Sequence, residues 1–220
     1  TKLQVYFTLN FIVALMAWFI SWRALLFFSF YIFLIWFYSH KLKKIVFIGN
    51  LSAALLAVWP FFAILLYYYQ PTSIEELERH KDHFAVIIAH ASFLFLLILI
   101  RELIKDLENL KGDLANNYHT IPVFYGENWS KRISTGLTVL TLVPVYILIE
   151  LYDVGYMDIY FYSSLIVLLF FLLLLWQSNN KTHYIRLHNI LKFLIVAGVF
   201  CIVLINPSVL WHGKNWLLKQ

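Results

Sequence analysis

Between Arg101 and Asp113 the chain carries Glu102, Asp106, Asn109 and Asp113 at i, i+4, i+7 and i+11. On a helix these four oxygen-bearing side chains share one face. Arg101, Lys105 and Glu108 form a stripe beside it. Carboxylate and amide oxygens bind hard divalent cations, and an adjacent lysine or arginine meets phosphate oxygens, so this pattern suits a diphosphate gripped partly through metal. The competing reading is an amphipathic helix end whose Glu/Lys pairs are merely solvated.

The elements that must position this face are apolar. Of the 220 residues, 62% are hydrophobic, 19% aromatic and 13% charged, and the mean hydropathy is +0.76. Soluble domains run at roughly 45–50% apolar and 25% charged, so the chain is expected in lipid. Apolar runs at about 3–20, 22–38, 45–69, 84–104, 132–152, 156–177 and 188–206 each approach the length needed to cross a roughly 30 Å hydrocarbon core. Helices satisfy their own backbone there. The expected fold is therefore all-α, a polytopic transmembrane bundle of about seven helices forming a single domain over residues 1–220.

Alternating these runs across a bilayer collects Lys2, Lys41, Lys43, Lys44, Arg101, Lys105, Lys111, Lys131, Arg132, Lys181, Arg186 and Lys192 on one side and Arg23, Arg79, Lys81, Lys214 and Lys219 on the other, and the positive-inside rule makes the first cytoplasmic. Glu75, Glu76, Glu78 and Asp82 then lie in an outward loop with His80 and His83, read as solvated side chains in preference to metal ligands. His183 and His188 are read the same way. The acids on the basic side, Glu102, Asp106, Glu108, Asp113 and Glu127, all fall between the fourth and fifth runs. The net charge of +5 follows from basic loops, so nucleic acid is not expected as a partner. Pro60 should kink the third run and Pro207 should end the seventh. Trp59, Trp176, Trp211 and Trp216 read as interfacial anchors. Gly112 and Gly126 read as a helix end and a turn, and Cys201 as a small hydrophobe.

The stretch Arg101-Glu102-Leu103-Ile104-Lys105-Asp106-Leu107-Glu108-Asn109-Leu110-Lys111-Gly112-Asp113, followed by Thr120-Ile121-Pro122-Val123 and Gly126, resembles the second aspartate-rich motif of the UbiA-type intramembrane prenyltransferases. A weaker resemblance covers Tyr38-Ser39, Leu42-Lys43 and Gly49-Asn50. The resemblance implies a nine-helix bundle with two facing aspartate-rich motifs that hold magnesium on the diphosphate of an isoprenoid. Metal-assisted ionisation of the allylic carbon–oxygen bond then leaves a carbocation for the acceptor.

Carried onto this sequence, the resemblance makes Asp106, Asp113 and Lys105 the catalytic residues, with Asp106, Asn109 and Asp113 as magnesium ligands. Asn109 stands where the family usually has Asp and brings an oxygen without a charge. Arg101 and Lys43 would contact diphosphate oxygens or hold the carboxylates, Asn50 would line the cavity, and His119 would touch phosphate. The partners implied are a polyprenyl diphosphate, a lipid or aromatic acceptor, and membrane lipids. Members acting on glyceryl phosphate lipids look nearest, with the prokaryotic cytoplasmic membrane as the expected location. The family's first aspartate-rich motif has no counterpart in these residues, and with Thr1 in place of Met this leads to the expectation of a truncated chain whose opposing half-site lies upstream. A non-catalytic family member, or a carrier binding an anionic ligand at its cytoplasmic face, is the alternative.

Overall fold

In a computed structural model of the chain, the described residues are 2–68, 74–152 and 154–201, with the side chains of 2–3, 44, 64–68 and 74–83 left aside. Every described regular element is helical. Helices α1 (Lys2–Ile20) and α2 (Trp22–His40) are separated by Ser21, whose extended backbone breaks the helix while its hydroxyl accepts from the Ala24 amide at 3.1 Å and caps α2. A short 3-10 turn, Leu42–Lys44, leads to α3 (Ile48–Tyr68). Next come α4 (Ile74–Ala115), the one-turn helix α5 (Ile121–Tyr125), α6 (Glu127–Leu140), α7 (Leu142–Tyr146) continued by a π-helical turn Ile147–Leu151, α8 (Met157–Gln177) and α9 (Lys181–Cys201).

Five of these segments are long and apolar enough to cross a membrane: Trp22–His40, Phe84–Ala115, Glu127–Leu151, Met157–Gln177 and Lys181–Cys201. Two shorter apolar helices, Gln4–Ile20 and Ile48–Ala63, accompany them. The chain is an all-α, multi-pass integral membrane protein. The described part of each of the seven apolar runs falls mainly on helix, but three polar breaks fall elsewhere than hydropathy suggested. Residues 74–83, expected in an outer loop, are helical and continuous with α4. In the sequence Ser73-Ile74-Glu75-Glu76 has capping-box spacing, and good helix formers follow. The inferred exposure of Glu75, Glu76, Glu78, His80, Asp82 and His83 lies outside the described residues. Helix α9 begins at Lys181, well before the apolar run, and α6 at Glu127, because polar first turns are compatible with helix even where they leave the hydrocarbon.

Helix α4 is the hub. It is 42 residues long, about 63 Å at 1.5 Å per residue, and packs against α3, α5, α6, α7 and α9. Phe93, Leu97, Ile100 and Ile104 bury themselves against Phe161, Leu168, Leu187 and Leu191 of α8 and α9. A smaller cluster joins Ala54 and Val58 of α3 to Ala91, Leu94 and Ile98.

The two internal prolines are accommodated differently. Pro60 lies within α3 and has no N–H for the Leu56 carbonyl, which instead accepts the Tyr31 hydroxyl of α2 at 3.0 Å. Pro144 coincides with the break between α6 and α7, where Thr141 donates from its amide to the Leu137 and Thr138 carbonyls at 3.1 and 3.2 Å. Trp59 is no anchor at a helix end: it sits in mid-α3, stacked on Phe27 at 5.7 Å. Trp176 does lie half-exposed at the end of α8. Pro207, Trp211 and Trp216 lie outside the described residues.

Candidate functional site

The expected oxygen-rich face forms on the last three turns of α4, beyond the apolar stretch that ends at Ile104. The helix runs past Gly112 and stops in a Schellman motif. Asn117 takes a left-handed φ of 53°, the Tyr118 amide returns to the Asp113 carbonyl at 2.9 Å, and the Asn117 amide to the Leu114 carbonyl at 3.3 Å. Gly112 is therefore not the helix end. Gly126, at φ 86°, is a turn as expected, joining α5 to α6.

Asp106 is brought to its partner by tertiary structure. Asn50, near the start of α3, donates from Nδ2 to Asp106 Oδ2 at 2.8 Å across 56 residues of sequence. This neutral donor is its hydrogen-bond partner; no ion pair to Asp106 or Asp113 occurs among the described residues. The carboxylates of Asp113 and Glu102 and the Lys105 ammonium all lie within electrostatic reach of Asp106. Lys43, on the turn between α2 and α3, and Lys105 both act on Asp113. Lys43 owes its place to Gly49: a Cβ there would meet the Lys43 carbonyl oxygen at 3.0 Å and that of Leu42 at 3.3 Å, so the turn folds directly over the start of α3.

Glu102 does not join the acidic face. Its carboxylate is buried and held by the Arg101 guanidinium and by Lys105 Nζ, the latter at 2.9 Å. Arg101 and Lys105 are thus both oriented by the Glu102 carboxylate. Asn109 is half-buried on the same helix, and His119 is exposed in the turn before α5. Among the described residues Arg101 Nε is a buried donor without a hydrogen-bond partner, whereas the Thr120 hydroxyl lies against the Asp113 carboxylate.

Two participants were not singled out as site residues in the sequence. Tyr38, at the end of α2, lies within electrostatic reach of Glu102, Lys105 and Asp106; its place in the Tyr38-Ser39 stretch was the available signal. His188, read as solvated, is instead mostly buried and meets Glu108 Oε2 through Nδ1 at 2.9 Å, tying α9 to α4. An i, i+5 spacing of histidines carried no hint of a partner 80 residues away.

The residues present fit magnesium as a donor set in part. Two carboxylates without ion pairs and two amides supply hard oxygens, a number suited to a cation that keeps waters and takes further oxygens from a phosphate. Among the described residues no group of three or more His, Cys, Asp or Glu side chains is gathered for a metal. The orphaned Arg101 Nε is complementary to an anion.

A model of the UbiA prenyltransferase family matches residues 2–196. Among curated relatives, the digeranylgeranylglyceryl phosphate synthase of Methanosphaera stadtmanae is 30% identical over 126 residues, 56% of this chain and 41% of that protein. The synthase of the same name from Pyrococcus horikoshii is 28% identical over 151 residues, 68% of this chain and 50% of its own. That of Saccharolobus solfataricus is 34% identical over 108 residues, 49% and 34% respectively. The chain thus spans half or less of the length of these relatives. No solved structure matches it.

Proposed function

The chain belongs to the UbiA prenyltransferase family, and on that premise we propose that it serves magnesium-dependent transfer of an isoprenyl group from its diphosphate to a glyceryl phosphate lipid. The observation that carries the reading is the meeting, at one end of α4, of two carboxylates without ion pairs among the described residues, Asp106 and Asp113, with the cations of Arg101, Lys105 and Lys43. Asp106, Asp113 and the Asn109 amide would hold magnesium, and Arg101, Lys105, Lys43 and Thr120 would face the diphosphate. The metal would neutralise charge on the leaving group as a Lewis acid.

Catalysis then follows from where the chain's own groups stand. The allylic carbon–oxygen bond breaks with its electron pair leaving on the diphosphate, whose growing charge the Arg101 and Lys105 cations stabilise. Glu102 keeps both cations in place, so no rearrangement is required as charge develops. The acceptor's hydroxyl oxygen bonds to the allylic carbon and its proton passes to water. His119, exposed in the turn before α5, would touch phosphate, and Asn50 would hold the Asp106 carboxylate.

A geranylgeranyl donor and a geranylgeranylglyceryl phosphate acceptor are proposed from the names of the relatives, with a prokaryotic cytoplasmic membrane as the location and the charged end of α4 facing the cytoplasm. A single domain covers the helices. The test is magnesium-dependent release of diphosphate from geranylgeranyl diphosphate by the membrane-embedded protein. Asp113→Ala should reduce it at least about 100-fold, the scale of removing an electrostatic group from the reacting centre. Activity equal to the unmodified protein would overturn the site.

A further inference from the structure

At the same end of the bundle as Asp113, an open cavity of about 570 Å³ lies beside the start of α6, lined by Tyr125, Asn128, Trp129, Arg132 and, from the α8–α9 turn, Asn179. Its volume falls within the range of small-molecule sites. None of the residues assigned to diphosphate or magnesium lines it. We propose that this cavity is a second site, one that holds the phosphate headgroup of an amphipathic lipid.

Charge decides the sign of the ligand. Glu127 also borders the cavity, but its carboxylate is already neutralised: Lys131, buried at 3% exposure, meets it at 3.0 Å, and the Tyr184 hydroxyl donates to it. Lys131 and Tyr184 both also donate to the Ser178 carbonyl at the end of α8, so this knot fixes the wall and leaves no free charge. Arg132 is different. Its guanidinium lies 5.4 Å from the Trp129 ring centroid and has no carboxylate partner among the described residues. The cavity therefore presents one available cation and two amide side chains, which suits a phosphate monoester or diester.

The surroundings decide that the phosphate is attached to a lipid. Trp129 and Tyr125 are each more than half exposed, at the end of a membrane-crossing segment that begins at Glu127. Amphipathic rings at that level occupy the headgroup region and flank acyl chains. Such a phosphate could belong to the acceptor waiting at the interface or to a bystander phospholipid. Binding is independent of the prenyl-transfer reading, and its test reads no turnover.

The experiment is native mass spectrometry of the detergent-purified protein titrated with dioleoyl phosphatidic acid, with dioleoylglycerol as the uncharged control. The protein should retain the phosphatidic acid, and Arg132→Gln should lower its retention by about 5- to 10-fold, the loss of one charge-assisted contact. Arg23→Gln removes another exposed arginine lying over a tryptophan, Trp22 at 5.7 Å, and should change nothing. Preferential displacement of phosphatidic acid by geranylgeranylglyceryl phosphate would assign the cavity to the acceptor, and equal competition to phospholipids generally. Undiminished retention in Arg132→Gln, equal loss in Arg23→Gln, or equal retention of dioleoylglycerol would overturn the proposal.

Discussion

Asn50 and Asp106 set the terms of the site at the scale of single residues. A half-buried carboxylate with an amide donor and no paired cation among the described residues is costly, on the order of several kcal/mol for an uncompensated charge, and a metal would offset that cost. Asn50 supports this carboxylate without competing for it, as the partners of metal ligands commonly do. Asn50→Ala should therefore raise the magnesium concentration for half-maximal diphosphate release about 10-fold, read by titrating the metal at saturating donor. An unchanged requirement would reduce Asn50 to a packing residue. Asn109 supplies an oxygen without charge, and Asn109→Asp should lower the same magnesium requirement, since coordination strengthens with ligand charge. Far from the site, His90 of α4 is 3% exposed between Phe61 and Phe161, with neither ring nitrogen partnered among the described residues. His90→Leu should stabilise the protein by about 1–3 kcal/mol, measured as a higher midpoint of thermal unfolding in detergent. A lower midpoint would mean that the imidazole has a ligand or water to satisfy it.

At the scale of elements, the helix ends carry the information. Hydropathy marks where a chain is apolar, and it placed the cores of the helices well; it does not mark where helix stops. The end of α4 depends on Asn117 accepting a left-handed φ, and this residue aims the Tyr118–Thr120 segment back toward Asp113. Gly112, the obvious terminator by type, lies inside the helix because nothing forces positive φ there. The contact between α8 and α9 depends on a single small residue. Gly198 faces Tyr160, whose hydroxyl donates to the Leu194 carbonyl at 3.0 Å, and a Cβ at 198 would stand 2.5 Å from that hydroxyl and 3.0 Å from the ring carbon bearing it. Gly198→Ala should cost about 1–3 kcal/mol as the helices part or the tyrosine leaves its hydrogen bond. Thermal unfolding would read this, and adding Tyr160→Ala should recover part of the clash at the expense of packing. An alanine that costs nothing would show that this contact is looser than its geometry.

Across the whole molecule, α4 organises everything else. It meets α3 through Asn50, α9 through His188 and Glu108, and the turn after α2 through Lys43, so three separate stretches of chain converge on its charged end. By the alternation of helices, that end and the α7–α8 connection are expected on opposite faces of the membrane. With Cys201 replaced by serine, cysteines introduced at exposed Lys111 and exposed Tyr156 should react with a membrane-impermeant maleimide from opposite sides of sealed vesicles. Labelling from one side would refute the alternation of helices. The sequence alone determined the lipid environment, the helical class and the motif on α4, because each rests on local composition or on a helical period of 3.6 residues. Only the tertiary structure decided that Asn50 supports Asp106, that Glu102 serves Arg101 and Lys105 instead of the acidic face, and that His188 is paired. Those contacts join residues distant in sequence, or choose among neighbouring charges of equal spacing, and neither hydropathy nor periodicity distinguishes one carboxylate on a face from the next.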